Sequence, residues 1–229
     1  MNIFFHLSLN NNAFHFFFLT QYNNIIILKH ITTKLKSHQD RELLGRLYHD
    51  ANSVFEFGVG ESTLIAAHVG VPRYSGVDSD ANWIAKARES VLPHNMSQYR
   101  FTFADIGPTK MFGRAIQTNV SKIPLSYQST PLYSEMEAFD VYLVDGRYRV
   151  ACACSSMLHA ISRHANMSTV LFGVHDWSTP MTSKRDYDKL LAIGTIVHKS
   201  TKLAVLQVRS NVTAIDIAQI WEENIWSTW

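Results

Sequence analysis

A chain of 229 residues that is 46% hydrophobic and 17% charged can bury a sizeable core and reads as one globular domain. Its net charge of +2 comes with Lys and Arg scattered along the chain, so charge indicates no nucleic-acid partner. No uninterrupted apolar run approaches the ~18 residues of a membrane-spanning helix.

In chain order, residues 1–30 stand apart. They are rich in Phe, Ile and Asn, and their apolar islands are broken by Asn10-Asn11-Asn12 and by Gln21 to Asn24. They lack the basic start and single apolar block of a signal peptide, so they read as a poorly ordered leader outside the domain, with contact to a membrane as the sharper alternative. From Thr32 to Asp50, Leu35, Leu43, Leu44 and Leu47 alternate with charges and predict an amphipathic helix. Val54 to Thr63 follows as V-F-E-F-G-V-G-E-S-T. A short apolar strand interleaved with Glu56 runs into Gly58 and Gly60, and Glu61 to His68 is compatible with a helix. Strand, glycine turn and helix form a nucleotide cradle: glycine lets a ligand approach the backbone, and the helix amino terminus aims N–H groups into the same space. A second strand, Tyr74 to Val77, ends in Asp78, where a Rossmann-like unit places its ribose-binding carboxylate.

Ala81 to Val91 predicts a helix stopped by Pro93, and Tyr99 to Ala104 a third strand ending at Asp105. The stretch 106–138 is far longer than ordinary connections in α/β units and, with Met111, Phe112, Tyr127 and Tyr133, reads as a lid-like loop over the ligand cleft. An apolar strand beginning at Phe139 then ends in Asp145-Gly146 and is followed by a helix to about His164. Cys152 and Cys154 lie two apart on it, where side chains diverge and cannot bridge, which favours a reducing, cytoplasmic setting. The strand after Thr169 ends in His175-Asp176. Ala192 to Val197 and Leu203 to Arg209 read as a closing hairpin around Ser200-Thr201. Ala214 to Trp229 reads as a Trp-rich helix packed on its own domain. The four glycosylation-type tripeptides, at Asn95, Asn119, Asn166 and Asn211, carry no weight in a chain this rich in Asn, Ser and Thr.

This alternation of strands and helices predicts an α/β, Rossmann-like, doubly wound, mostly parallel sheet over residues 31–210, with residues 211–229 as the terminal helix. Glu56, Asp78, Asp105, Asp145, His175 and Asp176 all fall at or near strand carboxyl ends and so converge on one crevice.

The third glycine of the dinucleotide fingerprint is replaced by Thr63. With Glu56 ahead of Gly58, the turn resembles the first motif of class I S-adenosylmethionine-dependent methyltransferases. The later V-D-S-D, A-D-I-G-P-T, L-V-D-G-R and V-H-D-W stretches extend the resemblance over about residues 40–210. Within that superfamily the chain is most similar to a poorly characterised group carrying V-D-G-R-[FY]-R-V-A-C-A. The resemblance implies a seven-stranded sheet with helices on both faces and S-adenosyl-L-methionine as cofactor. Glu56, Gly58, Gly60, Ser62 and Thr63 would hold its amino-acid end, Asp78 its ribose and Asp105 the neighbourhood of the adenine.

Asp145, His175 and Asp176 are the expected catalytic residues and, as the strand ends that hold the metal in catechol O-methyltransferase-like enzymes, an expected divalent cation site. His175 then Asp176 stand where those enzymes carry an Asp-Asn pair, and the imidazole tilts the choice from magnesium toward manganese, iron or zinc. The competing reading makes Asp145 a helix cap and His175-Asp176 a metal-free base and orienter. Arg147 and Arg149 are expected to clamp an anionic acceptor, the plainer reading being surface ion pairs. The expected reaction is O-methyl transfer to a small molecule or glycan. A catalytically silent binding protein on the same fold and an NAD-dependent oxidoreductase are the alternatives.

Overall fold

The computed structural model describes residues 37–94, 98–110, 114–115, 124–177 and 186–227. The 1–30 leader and Met111 and Phe112 of the expected lid lie outside them. Strands β1 (Ser53–Phe57), β2 (Arg73–Asp78), β3 (Arg100–Phe103), β4 (Val141–Val144), β5 (Leu171–Val174), β6 (Gly194–Lys199) and β7 (Ala204–Val208) form one seven-stranded sheet in the order β3-β2-β1-β4-β5-β7-β6. The first five run parallel, and β7 enters antiparallel to both β5 and β6. The strand order thus reverses between β1 and β4. That switch point is where doubly wound sheets open a ligand crevice.

Helices α1 (His38–His49), α2 (Glu61–Val69), α3 (Ala81–Val91), α6 (Arg149–Ser162) and α7 (Ala214–Asn224) cover the sheet, with two short helices, α4 (Leu125–Gln128) and α5 (Thr130–Ser134), before β4. Every residue of β1 and of β4 is buried, as expected of central parallel strands covered on both faces. On one face Leu43, Leu44, Leu47 and Tyr48 of α1 and Ile65 and Ala66 of α2 pack with Val54, Tyr74 and Leu143. On the other, Ala151, Cys154 and Met157 of α6 and Ile217 of α7 pack with Phe55, Tyr142 and Phe172. Cys152 and Cys154 are both buried thiols. Tyr127 of α4 is 1% exposed, so the carboxyl-terminal part of the 106–138 stretch is short helices packed into the core. The tail also packs inward: Trp221 Nε1 donates to Gln128 Oε1 (3.2 Å) and Gln128 Nε2 to the Ile225 carbonyl (2.7 Å).

Candidate active site

Backbone bonds continue past the strand ends at the switch point. Gly58 N donates to the Val77 carbonyl (2.8 Å), Asp145 N to the Phe57 carbonyl (2.8 Å) and His175 N to the Val144 carbonyl (3.0 Å). The ends of β1, β2, β4 and β5 are therefore locked in register where the chemistry-bearing residues begin. Gly58 has φ +87°, and a Cβ there would lie 2.7 Å from the Gly146 Cα. The first turn glycine is thus fixed by conformation and by its seat against the β4 turn. Gly60 differs: nothing lies within 4 Å of where its Cβ would be. It opens α2 facing space, as the cradle reading requires.

Asp78 closes that cradle. Its Oδ2 accepts from Val59 N (3.0 Å) and its Oδ1 from Asp80 N (2.9 Å). Burial pushes its carboxyl above the ordinary value, against those donors. The Ser79 backbone also bonds it, so of the about four acceptor sites of a carboxylate there is capacity left for one ribose hydroxyl. Asp105 is exposed at the end of β3, and its Oδ1 accepts from Gly107 N (2.8 Å) in a local turn.

Glu56 lies beneath the turn and is fully buried. Four hydroxyls close around it: Tyr48 (2.7 Å) on Oε1, and Tyr74 (2.6 Å), Thr63 (2.8 Å) and Ser62 (3.2 Å) on Oε2. Thr63 Oγ1 in turn accepts from Gly60 N (3.0 Å). Glu56, Ser62 and Thr63, expected to touch the cofactor, instead form a sealed hydroxyl cage whose last link holds the open glycine. Burial and the nearby Glu56 charge both raise the Tyr48 and Tyr74 hydroxyls, which stay protonated donors.

At the ends of β4 and β5 the charges are arranged differently. His175 Nδ1 lies 3.0 Å from Asp145 Oδ1 and 3.5 Å from Asp176 Oδ1. Ligand atoms of these three residues all fall within 4.8 Å of one another. Asp176 adopts φ +59°, a conformation that Asp tolerates better than most residues. Burial would raise its carboxyl, but Arg149 at 2.8 Å and His175 hold it below the ordinary value. Helix α6 starts after Tyr148, which occupies the N-cap position and makes no side-chain cap bond.

Arg149 is buried, with Nε on the Gly146 carbonyl (3.0 Å) and Nη1 on the His175 carbonyl and Asp176 Oδ2. Expected to clamp an acceptor, it instead ties the β4 turn to the β5 end. Arg147 is half-buried on the same turn.

Sequence reasoning missed Asp40. It is fully buried on α1, and its Oδ2 lies 3.7 Å from His175 Nε2. The signal available was the Ser37-x-x-Asp40 capping box, which announces a helix start and says nothing of a histidine 135 residues later. Arg41 was missed too: it pairs with Glu61 in the first turn of α2. A separate cleft of about 390 Å³ opens at the amino-terminal edge of the sheet among Leu43, Leu47, Val141 and Leu171. None of the site residues lines it.

Comparison with known proteins agrees with this geometry at the level of fold. A methyltransferase-like protein of Silicibacter pomeroyi superposes with a TM-score of 0.64 at 23% identity, covering 86% of this chain and 96% of that one. The shared fold is Rossmann-like, a seven-stranded, mostly parallel sheet flanked by helices. The O-methyltransferase from Bacillus cereus, in complex with SAH, superposes with a TM-score of 0.51 at 12% identity over 89% of this chain and 93% of that one. No protein-family model and no curated protein matches the sequence. Among the described residues, no helix is long and apolar enough to cross a membrane.

Proposed function

We propose that this protein is an S-adenosylmethionine-dependent methyltransferase that methylates an oxygen of a small-molecule or glycan acceptor. The observation that carries the reading is the meeting, at one switch point, of an open Gly60 turn and Asp78 with the Asp145–His175–Asp176 cluster. The residues fit the cofactor: Gly60 leaves room for close approach, the amino terminus of α2 supplies N–H groups, and Asp78 retains acceptor capacity for a ribose hydroxyl. When bound, the cofactor supplies an electrophilic methyl group on a sulfonium.

The protein's task is then to align the acceptor hydroxyl for in-line attack and to manage its proton. Asp145 and Asp176, each partly exposed beside the buried His175, are placed to orient that hydroxyl. Arg149 fixes the Asp176 carboxylate and keeps it ionised. Arg147, on the rim, is the remaining candidate for contact with an anionic acceptor. The donor set of one imidazole and two carboxylates also suits a divalent cation of the manganese, iron or zinc type, which would lower the acceptor hydroxyl's pKa.

Calorimetric titration with S-adenosylhomocysteine and, separately, NAD tests the reading. Heat with the first and none with the second is expected. Binding of NAD instead would favour the oxidoreductase. Binding of neither would leave a methyltransferase fold without its cofactor.

A further inference from the structure

Twice in this chain a buried tyrosine hydroxyl takes a backbone amide hydrogen, at opposite ends of β4. At the amino-terminal end, Phe139 N donates to Tyr142 Oη (3.1 Å), which also meets His159 Nδ1 (2.6 Å). At the carboxyl end, the Arg147 backbone N–H donates to the Tyr127 hydroxyl. Tyr127 is 1% exposed, and its ring packs against Phe57 (5.6 Å between centroids) and Tyr148 (6.4 Å). Burial, and after it the nearby Cys152 and Asp78, keep the hydroxyl protonated. Phenylalanine would fill the same space without burying a polar group, so the hydroxyl needs a reason of its own.

Gly146 supplies one. A Cβ on Gly146 would fall 2.0 Å from Tyr127 Oη, 3.1 Å from Gly58 N and 3.2 Å from the Phe57 carbonyl carbon. The hydroxyl thus stands where any other residue at 146 would carry its side chain, beside the first glycine of the turn. Gly58 returns the contact, since its own Cβ would lie 2.7 Å from Gly146 N. Tyr127 is itself held in place: Thr130 Oγ1 donates to its carbonyl (3.0 Å), and the next residue, Gln128, is bonded to Trp221 of α7 and to the Ile225 carbonyl.

We propose that Tyr127 is a positioning residue for the cofactor turn: by holding the Arg147 amide and occupying the place of a side chain at 146, its hydroxyl keeps the β4 turn seated on Gly58 and so sets how the Gly58–Gly60 turn meets its ligand. The proposal rests on the Gly60 turn being the cofactor cradle. The carboxyl-terminal part of the 106–138 stretch then acts on the site from inside the core, where a lid would act from the solvent side.

Tyr142 supplies the control, because it makes the same kind of bond away from the crevice. Amide hydrogen exchange in the wild-type protein, with and without S-adenosylhomocysteine, compares the Arg147 and Phe139 amides. Both should be protected in the free protein, and the ligand should slow Arg147 at least about tenfold more than Phe139, since binding and seating of the turn stabilise each other reciprocally. Calorimetric titration of Tyr127→Phe should give an S-adenosylhomocysteine affinity at least about tenfold below wild type, the consequence of an orphaned amide at the seam. Tyr142→Phe, which loses a comparable bond, should keep wild-type affinity. Rapid exchange of the Arg147 amide in free wild type, or equal slowing of the two amides, overturns the proposal even if Tyr127→Phe fails to fold. Wild-type affinity in a folded Tyr127→Phe overturns it too, as does an equal loss in Tyr142→Phe, which would mark a general loosening. Wild type that binds no S-adenosylhomocysteine removes the cradle itself, and the role of Tyr127 with it.

Discussion

Two acidic regions share one edge of the sheet and solve the problem of charge in opposite ways. Under the glycine turn, the fully buried Glu56 is enclosed by four hydroxyls from α1, α2 and β2. At the ends of β4 and β5, Asp40, Asp145 and Asp176 surround one imidazole and one guanidinium, and two of the three carboxylates reach the surface. The first arrangement is complete within the protein and serves geometry, since its last bond runs from Thr63 to Gly60 N. The second is half-open and concentrates negative charge around an imidazole, the arrangement on which the proposed function rests. Acidity at a strand end is therefore not one signal. Whether hydroxyl donors surround it decides between scaffold and chemistry.

The sharpest way to break this contrast is to remove each acid in turn. Glu56→Leu leaves four buried hydroxyls without their acceptor, at about 1–3 kcal/mol for each group that finds no new partner. A loss of about 4 kcal/mol or more in urea unfolding is expected, a large share of a domain's total stability. Asp145→Asn should change the same measurement by about 1 kcal/mol or less, and its effect should fall on turnover once an acceptor is known. Equal stability losses would erase the distinction.

Gly58→Ala tests the seam between the two regions. It combines a left-handed φ with a Cβ placed 2.7 Å from the Gly146 Cα, and a destabilisation of about 2–4 kcal/mol is expected by thermal unfolding. A near-neutral variant would mean that the turn and the β4 end are not held against each other.

His159 extends the scaffold category to a titratable ring. It is fully buried, with Nδ1 at 2.6 Å from Tyr142 Oη and Nε2 at 3.1 Å from the Glu135 carbonyl, and burial lowers its pKa to about 4. The unfolded chain takes up this proton near the ordinary value of 6.5, while the folded protein does so only near 4. Stability therefore falls as pH falls through that window, by about 2 kcal/mol between pH 7 and 5. His68, lowered by burial and by His94, adds to the slope with the same sign. Urea unfolding at the two pH values should show the loss, and His159→Gln should remove most of it. Asp40, held below the usual carboxylate range despite its burial, contributes stability that is lost only at more acid pH, so the two groups are separable.

The fold was legible because parallel strands buried on both faces write themselves as apolar runs ending in acids and glycines. The helices between them carry ordinary caps and stops. The convergence of Asp78, Asp145, His175 and Asp176 followed from strand order alone. What stayed hidden depends on side-chain direction rather than sequence position. Tyr48 and Tyr74 look like core aromatics until their hydroxyls are seen on Glu56. Arg149 looks like a surface cation until its guanidinium is seen spanning two strand ends. Asp40 looks like an ordinary cap until its burial sets it beside a distant histidine.

The central claim is that the turn at Gly60 is a cofactor cradle opened by a missing side chain, with Glu56 behind it as scaffold. Calorimetric titration of Gly60→Ala with S-adenosylhomocysteine tests it most directly. The added methyl meets nothing in the protein, so the urea midpoint should match wild type while affinity falls at least about tenfold, the equivalent of about 1.4 kcal/mol. Wild-type affinity in a folded Gly60→Ala would contradict the claim.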